Sequence, residues 1–180
     1  MTKAAHRSGA RAARPQPHPD PAAPLVAGFI LRLLLAWGAA WALVALVPSI
    51  QAATVIATAW SFARVLAAAR LQVAQTGSSV EAAGVSLDIV PECTPLVPIL
   101  LLTGAIAAYP ASLRSRAAGL ALGAAGLWAF NLLRLVTLLF ILARAPRWFD
   151  FAHVYLWQTV SVLAAAAAFA IWVRATGGRG

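Results

Sequence analysis

Residues 117–141 read AAGLALGAAGLWAFNLLRLVTLLFI, an apolar stretch with a single charge at Arg134 and an amide three positions earlier at Asn131. The hydrocarbon core of a bilayer is ~30 Å thick, and a helix of about 20 such residues crosses it. Lipid offers the backbone no water, so an open chain that crosses must satisfy its own N–H and C=O groups within helices. The stretch therefore fixes the fold class as an all-α integral membrane protein. Arg134 falls ~26 Å beyond Ala117 at a rise of about 1.5 Å per residue, near the outer end of the span. An arginine at the centre of a membrane helix costs about 2.5–3.5 kcal/mol, which makes Arg134 a functional candidate; snorkelling to the headgroups is the competing explanation. Asn131 shares its helix face, so the amide could hold the guanidinium or serve a helix–helix contact.

Bulk composition agrees. Hydrophobic residues make up 62% of the chain and charged ones 11%, with a mean hydropathy of +0.81. No soluble domain of this length could bury that share in one core. The net charge of +9 comes from basic residues scattered around apolar spans. Nucleic-acid binders instead cluster such residues in a patch, so no nucleic-acid partner is expected. One cysteine excludes an internal disulfide and leaves a free thiol, a lone metal ligand or a nucleophile. Neither a nucleotide-binding glycine pattern nor a paired-histidine metal site occurs in the sequence, so no cofactor is expected.

Outward from the central stretch, Leu25–Val47 is apolar except for Arg32 and reads as the first span. It is too long for a secretory signal, although Ser49–Ala53 could pass for a cleavage site. Arg32 lies about 10 Å from the inner end and can reach water along its own stem. Residues 1–24, with Lys3, Arg7, Arg11, Arg14 and a run of prolines, read as a disordered basic tail. Between Ser49 and Arg70, the polar Gln51, Thr54, Thr58, Ser61 and Arg64 oppose Val55, Ile56, Trp60, Phe62 and Leu66. That spacing predicts an amphipathic helix at the membrane interface, with a further span as the alternative. Gln72–Val90 carries Gly77, Gly84 and the alternating Val85, Leu87 and Ile89, and predicts a short extracytoplasmic hairpin. Thr94–Tyr109 is a short second span with Thr94 as N-cap and Pro95 and Pro98 near its first turn. Ala117–Ile141 is the third span and Val154–Val173 the fourth. One membrane-embedded domain, 25–175, is thus expected, followed by a short tail at 176–180.

Lysine and arginine in short loops set the orientation. The N-terminal tail, the Arg114/Arg116 loop and the Arg174/Arg179 end alternate with segments holding Glu81, Asp88, Glu92 and Asp150. The basic set faces the cytoplasm, so both termini lie inside and the acidic segments outside. Cys93, Arg134 and His153 then fall at one depth near the outer face. Cys93 immediately precedes the helix start at Thr94-Pro95, where unpaired N–H groups and the helix dipole favour a thiolate. An inert buried cysteine is the plain alternative. His153 opens the last span after the interfacial aromatics Trp148, Phe149 and Phe151, and beside a thiol it is a candidate base. Glu92 could raise the thiol pKa, orient His153 or pair with Arg134.

Cys93, then Asn131-Leu132-Leu133-Arg134 inside a span, then His153 at the start of the last span resembles the exosortase/archaeosortase family. The likeness runs from about Val85 to the C-terminus. It is strongest to the small exosortase H-like members over Ala108–Ala111, Asn131–Leu139 and Phe149–Gln158. Glu92-Cys93-Thr94-Pro95 departs from the family pattern, where a small or polar residue and then glycine often follow the cysteine. The resemblance implies a cysteine transpeptidase of the inner membrane that cleaves C-terminal sorting signals of exported proteins at the outer face. It implies Cys93, Arg134 and His153 as catalytic residues; their positions beside these make Asn131, Glu92 and Thr94 the supporting candidates. Implied partners are the substrate's sorting signal and transmembrane tail, the lipid bilayer, and an amine or hydroxyl acceptor. The rival from another class is a non-enzymatic membrane subunit that recruits or chaperones a partner. A transporter fragment fits less well, since no internal repeat is present.

Overall fold

A computed structural model describes residues 23–177, and the tails expected at 1–22 and 178–180 lie outside the described residues. Five helices, α1 (Ala23–Leu46), α2 (Pro48–Ala68), α3 (Leu96–Ala108), α4 (Leu113–Arg144) and α5 (Trp157–Gly177), carry most of the chain. Strands β1 (Val73–Thr76), β2 (Ser79–Ala82) and β3 (Val85–Asp88) lie between α2 and α3. Four helical stretches are long and apolar enough to cross a membrane: Val26–Leu46, Pro48–Ala68, Leu113–Arg144 and Pro146–Thr176.

That set differs from the expected one. Thr94–Tyr109 was expected to span, but its helix is only Leu96–Ala108, about 20 Å long at ~1.5 Å per residue. Pro95 delays its start and Tyr109-Pro110 ends it, because proline lacks the N–H a continuing helix needs. Residues 49–70, expected as an interfacial helix with a further span as the alternative, form the helix Pro48–Ala68, whose length and composition would also suffice to cross. Its buried face, Ala59, Phe62, Ala63 and Leu66, packs in one cluster with the strands and with Leu135 and Leu139 of α4. The span expected at 117–141 extends to Leu113–Arg144, ~48 Å at about 1.5 Å per residue. Ser112 caps it by accepting from the Ser115 backbone N–H at 3.3 Å. A helix of that length exceeds the ~30 Å core, so one end projects.

The expected hairpin is a three-stranded antiparallel sheet in the order β1-β2-β3, paired Thr76↔Ser79 and Ala82↔Val85 across its two-residue turns. Gly77 has φ +61° at the first central position of one turn, which matches a II′ connection. Ala83 and Gly84 both have positive φ, 53° and 79°, in the other, as a I′ turn requires. The first strand escaped the sequence because Val73–Thr76 is mostly exposed, leaving no alternating apolar face to read.

Two apolar clusters share α4. One joins Phe62, Leu66, Val80, Leu87 and Ile89 to Leu135 and Leu139. The other joins Leu102 and Ile106 of α3, Leu127 of α4 and Ala165 of α5. Helix α3 sits among α1, α4 and α5. Close packing there depends on glycine: a Cβ at Gly119 would lie 2.3 Å from Trp172 Nε1, which donates to the Ser115 carbonyl at 3.0 Å. A Cβ at Gly126 would meet nothing within 4 Å. Gly119→Ala is therefore expected to destabilise the fold, since overpacking costs about 1–3 kcal/mol against a helix-propensity gain of at most ~1 kcal/mol. Gly126→Ala keeps that gain and is expected to be neutral or mildly stabilising. Thermal unfolding in detergent, followed by tryptophan fluorescence, checks the pair.

Candidate active site

Cys93 closes a 3₁₀ turn, Pro91–Cys93, between the sheet and α3. Proline starts the turn, and the backbone N–H groups of Cys93 and Thr94 donate to the carbonyls of Val90 and Pro91. Thr94 is buried and does not cap α3; its hydroxyl donates to the Pro91 carbonyl at 2.7 Å and accepts from Leu96 N–H at 3.4 Å. The N-cap is Pro95, one residue later than expected, because the Thr94 backbone is still extended. Thr94 thus stiffens the turn that carries the cysteine.

Helix α4 meets this turn with two polar side chains. Asn131 is 3% exposed, and its Nδ2 donates to the Cys93 carbonyl at 2.9 Å. Of its two expected roles, holding Arg134 or a packing contact with another segment, this bond is the second, and it satisfies a buried carbonyl. Arg134, one turn further on the same face, is 2% exposed, and its Nε has no hydrogen-bond partner among the described residues. Its charge reaches the Cys93 sulfur.

His153 comes from the opposite wall. Residues Phe151–Leu156 form a π-helical turn between the aromatic stretch and α5. Such an insertion re-aims side chains and recurs at functional sites. Within it, His153 Nε2 lies 3.4 Å from Cys93 Sγ, hydrogen-bonding distance for a thiol. The Phe149 ring stacks on the imidazole with centroids 5.5 Å apart and planes 15° from parallel, fixing the ring's plane. Phe149 escaped the sequence as a site residue, where it read only as one of several interfacial aromatics. Four-residue spacing from His153 was the available signal. The π turn has no sequence signature that could have announced it.

Glu92 is exposed, and among the described residues it makes no hydrogen bond or ion pair with His153 or Arg134. It acts at a distance: its charge raises the Cys93 pKa. The expectation of a dipole-activated thiolate is overturned. Burial pushes the Cys93 thiol above its ordinary value, outweighing the downward pull of a backbone hydrogen bond at Val90 and of Arg134. The reason is geometric: α3 begins only at Leu96, so the sulfur sits before its first turn and in an apolar cluster. At rest the site is a protonated thiol facing an imidazole, beside a buried cation. Such a set can move a proton from sulfur to nitrogen and receive developing negative charge nearby. Among the described residues no group of three or more histidine, cysteine or acidic side chains is placed to hold a metal ion.

No protein-family model, curated protein or solved structure matches the chain.

Alkylation of Cys93 by iodoacetamide is expected to titrate above the ~8.5 of a free cysteine. Glu92→Gln should move that midpoint down and Arg134→Gln should move it up, following the signs of the charges removed. Asn131→Ala leaves the Cys93 carbonyl buried without a donor, an expected loss of about 1–3 kcal/mol. Denaturation in detergent reads that loss, and faster alkylation of Cys93 reports the loosened turn.

Proposed function

We propose that this chain is a membrane-embedded cysteine transpeptidase or protease of the exosortase/archaeosortase kind, acting on C-terminal sorting signals of exported proteins. The observation that carries the reading is the 3.4 Å approach of Cys93 Sγ to His153 Nε2, with the buried Arg134 guanidinium acting on the same sulfur. The family resemblance supplies the substrate class. With α2 lying along the interface against the sheet and α3 crossing, the basic Arg114 and Arg116 at the start of α4 and Arg174 near the end of α5, set against the acidic residues around the sheet and Asp150, support an inner-membrane protein with cytoplasmic termini and an outward-facing site.

In the proposed reaction His153 Nε2 takes the proton from Cys93 Sγ as the sulfur attacks a backbone carbonyl of the sorting signal. The S–C bond forms while the carbonyl π electrons move onto oxygen, and the oxyanion develops next to Arg134. Collapse of the tetrahedral adduct breaks the C–N bond, and the His153 imidazolium gives its proton to the leaving amine. The transmembrane tail departs with that new amine, leaving a thioester on Cys93. An amine, a hydroxyl or water then attacks the thioester with His153 as base, and the thiol is restored. Arg134 works without reorganisation because it is already buried, its Nε without a hydrogen-bond partner among the described residues, and a fixed charge in such surroundings stabilises an oxyanion strongly.

Cys93→Ala is expected to abolish processing of a sorting-signal substrate while membrane insertion stays intact. His153→Ala should lower the rate by about 10²–10⁴-fold, and Arg134→Gln by about 10²–10³-fold. Mass spectrometry of denaturant-quenched enzyme should find an acyl adduct on Cys93, and a membrane-impermeant thiol reagent should reach Cys93 from outside only. Undiminished processing by Cys93→Ala would refute covalent catalysis, and full tolerance of Cys93→Ser would favour the non-enzymatic membrane subunit.

A further inference from the structure

A cavity of about 1020 Å³ opens between α4 and α5, away from Cys93. Its walls are small side chains, among them Gly119, Gly123 and Gly126 on α4 and Ala164 and Ala168 on α5. At one end stands Phe130, whose ring meets Trp157 edge-on with centroids 5.7 Å apart. The other end is chemically different. Exposed Arg114 lines it, together with Ser112, Ser115 and Tyr109. There Tyr109 packs against Trp172 at 5.6 Å and Phe169 at 6.0 Å, an aromatic cluster of the kind that marks headgroup depth.

We infer that this groove is a resident site for one anionic phospholipid, its phosphate on Arg114 and its acyl chains along the glycine and alanine walls. Length and charge favour that occupant. From Arg114 to Phe130 the groove runs ~24 Å at about 1.5 Å per residue. One leaflet with its headgroups is ~20–22 Å deep, half of a bilayer of about 40–45 Å. A single lipid therefore fills the groove from its cationic mouth to its aromatic end, whereas a membrane-crossing helix would meet a positive charge at one end and need the full core. Small side chains leave the volume for acyl chains, and an arginine at headgroup level favours an anionic lipid over a zwitterionic one. The headgroup sits at the end opposite Cys93, so the lipid braces α4 against α5 and is no reactant. The inference is independent of the proposed peptidase chemistry.

The full chain, reconstituted in nanodiscs of equal phosphatidylglycerol and phosphatidylcholine and then released for native mass spectrometry, tests it. One phosphatidylglycerol per chain is expected to stay bound. Arg114→Gln should cut the preference over phosphatidylcholine about fivefold, the worth of one basic residue at a lipid surface. Gly126→Leu, whose side chain enters open space, should expel lipids of both kinds while the Cys93 alkylation rate stays unchanged. Bare protein, equal uptake of the two lipids, a preference indifferent to Arg114→Gln, retention indifferent to Gly126→Leu, or a second copy of the chain in the groove would each overturn the inference.

Discussion

The hydrogen bond from Asn131 Nδ2 to the Cys93 carbonyl joins the turn before α3 to the face of α4. Both partners are buried, so no water can replace either of them. A buried carbonyl left unmade costs about 1–3 kcal/mol, enough to favour one seating of the turn over its neighbours. Arg134, one helical turn along α4, is thereby brought to the depth of the sulfur. The π turn before α5 completes the arrangement from the other side by aiming His153 inward under the stacked Phe149 ring.

Helix α4 serves two packing environments at once. Its first half lies with α3 and α5, and its last turns carry Leu135 and Leu139 into the cluster under the sheet and α2. Asn131 and Arg134 fall at the junction. That position explains an electrostatic tension in the site. Burial keeps the thiol protonated, while the same low-dielectric surroundings make the charge of Arg134 count for more once negative charge develops. A site of this kind is quiet at rest and depends on His153 to release the nucleophile.

How much could be read beforehand varies with the physical signal. The spans at α1, α4 and α5 were legible because twenty or more apolar residues have one use in an open chain. Candidate residues stood out because a lone thiol, an intramembrane arginine and a histidine at a span entrance are costly or rare there. Proline on both sides makes α3 shorter than its apolar run, and the polar spacing along α2 leaves it apolar enough to cross by composition. One strand was missed, since its exposed residues carry no pattern.

Asn131 illustrates the same boundary on the scale of one side chain. Its place one turn before Arg134 was fixed by helix periodicity, yet its partner turned out to be a carbonyl 38 residues away. By itself the sequence determined a membrane-embedded helical protein and the three reactive groups at the ends of its apolar segments, because hydropathy and helical repeat act locally along the chain. Only the tertiary structure decided that Cys93 lies within 3.4 Å of His153, that Phe149 holds the imidazole plane and that burial leaves the sulfur protonated. Those depend on distances between segments remote in sequence, which packing sets and periodicity cannot.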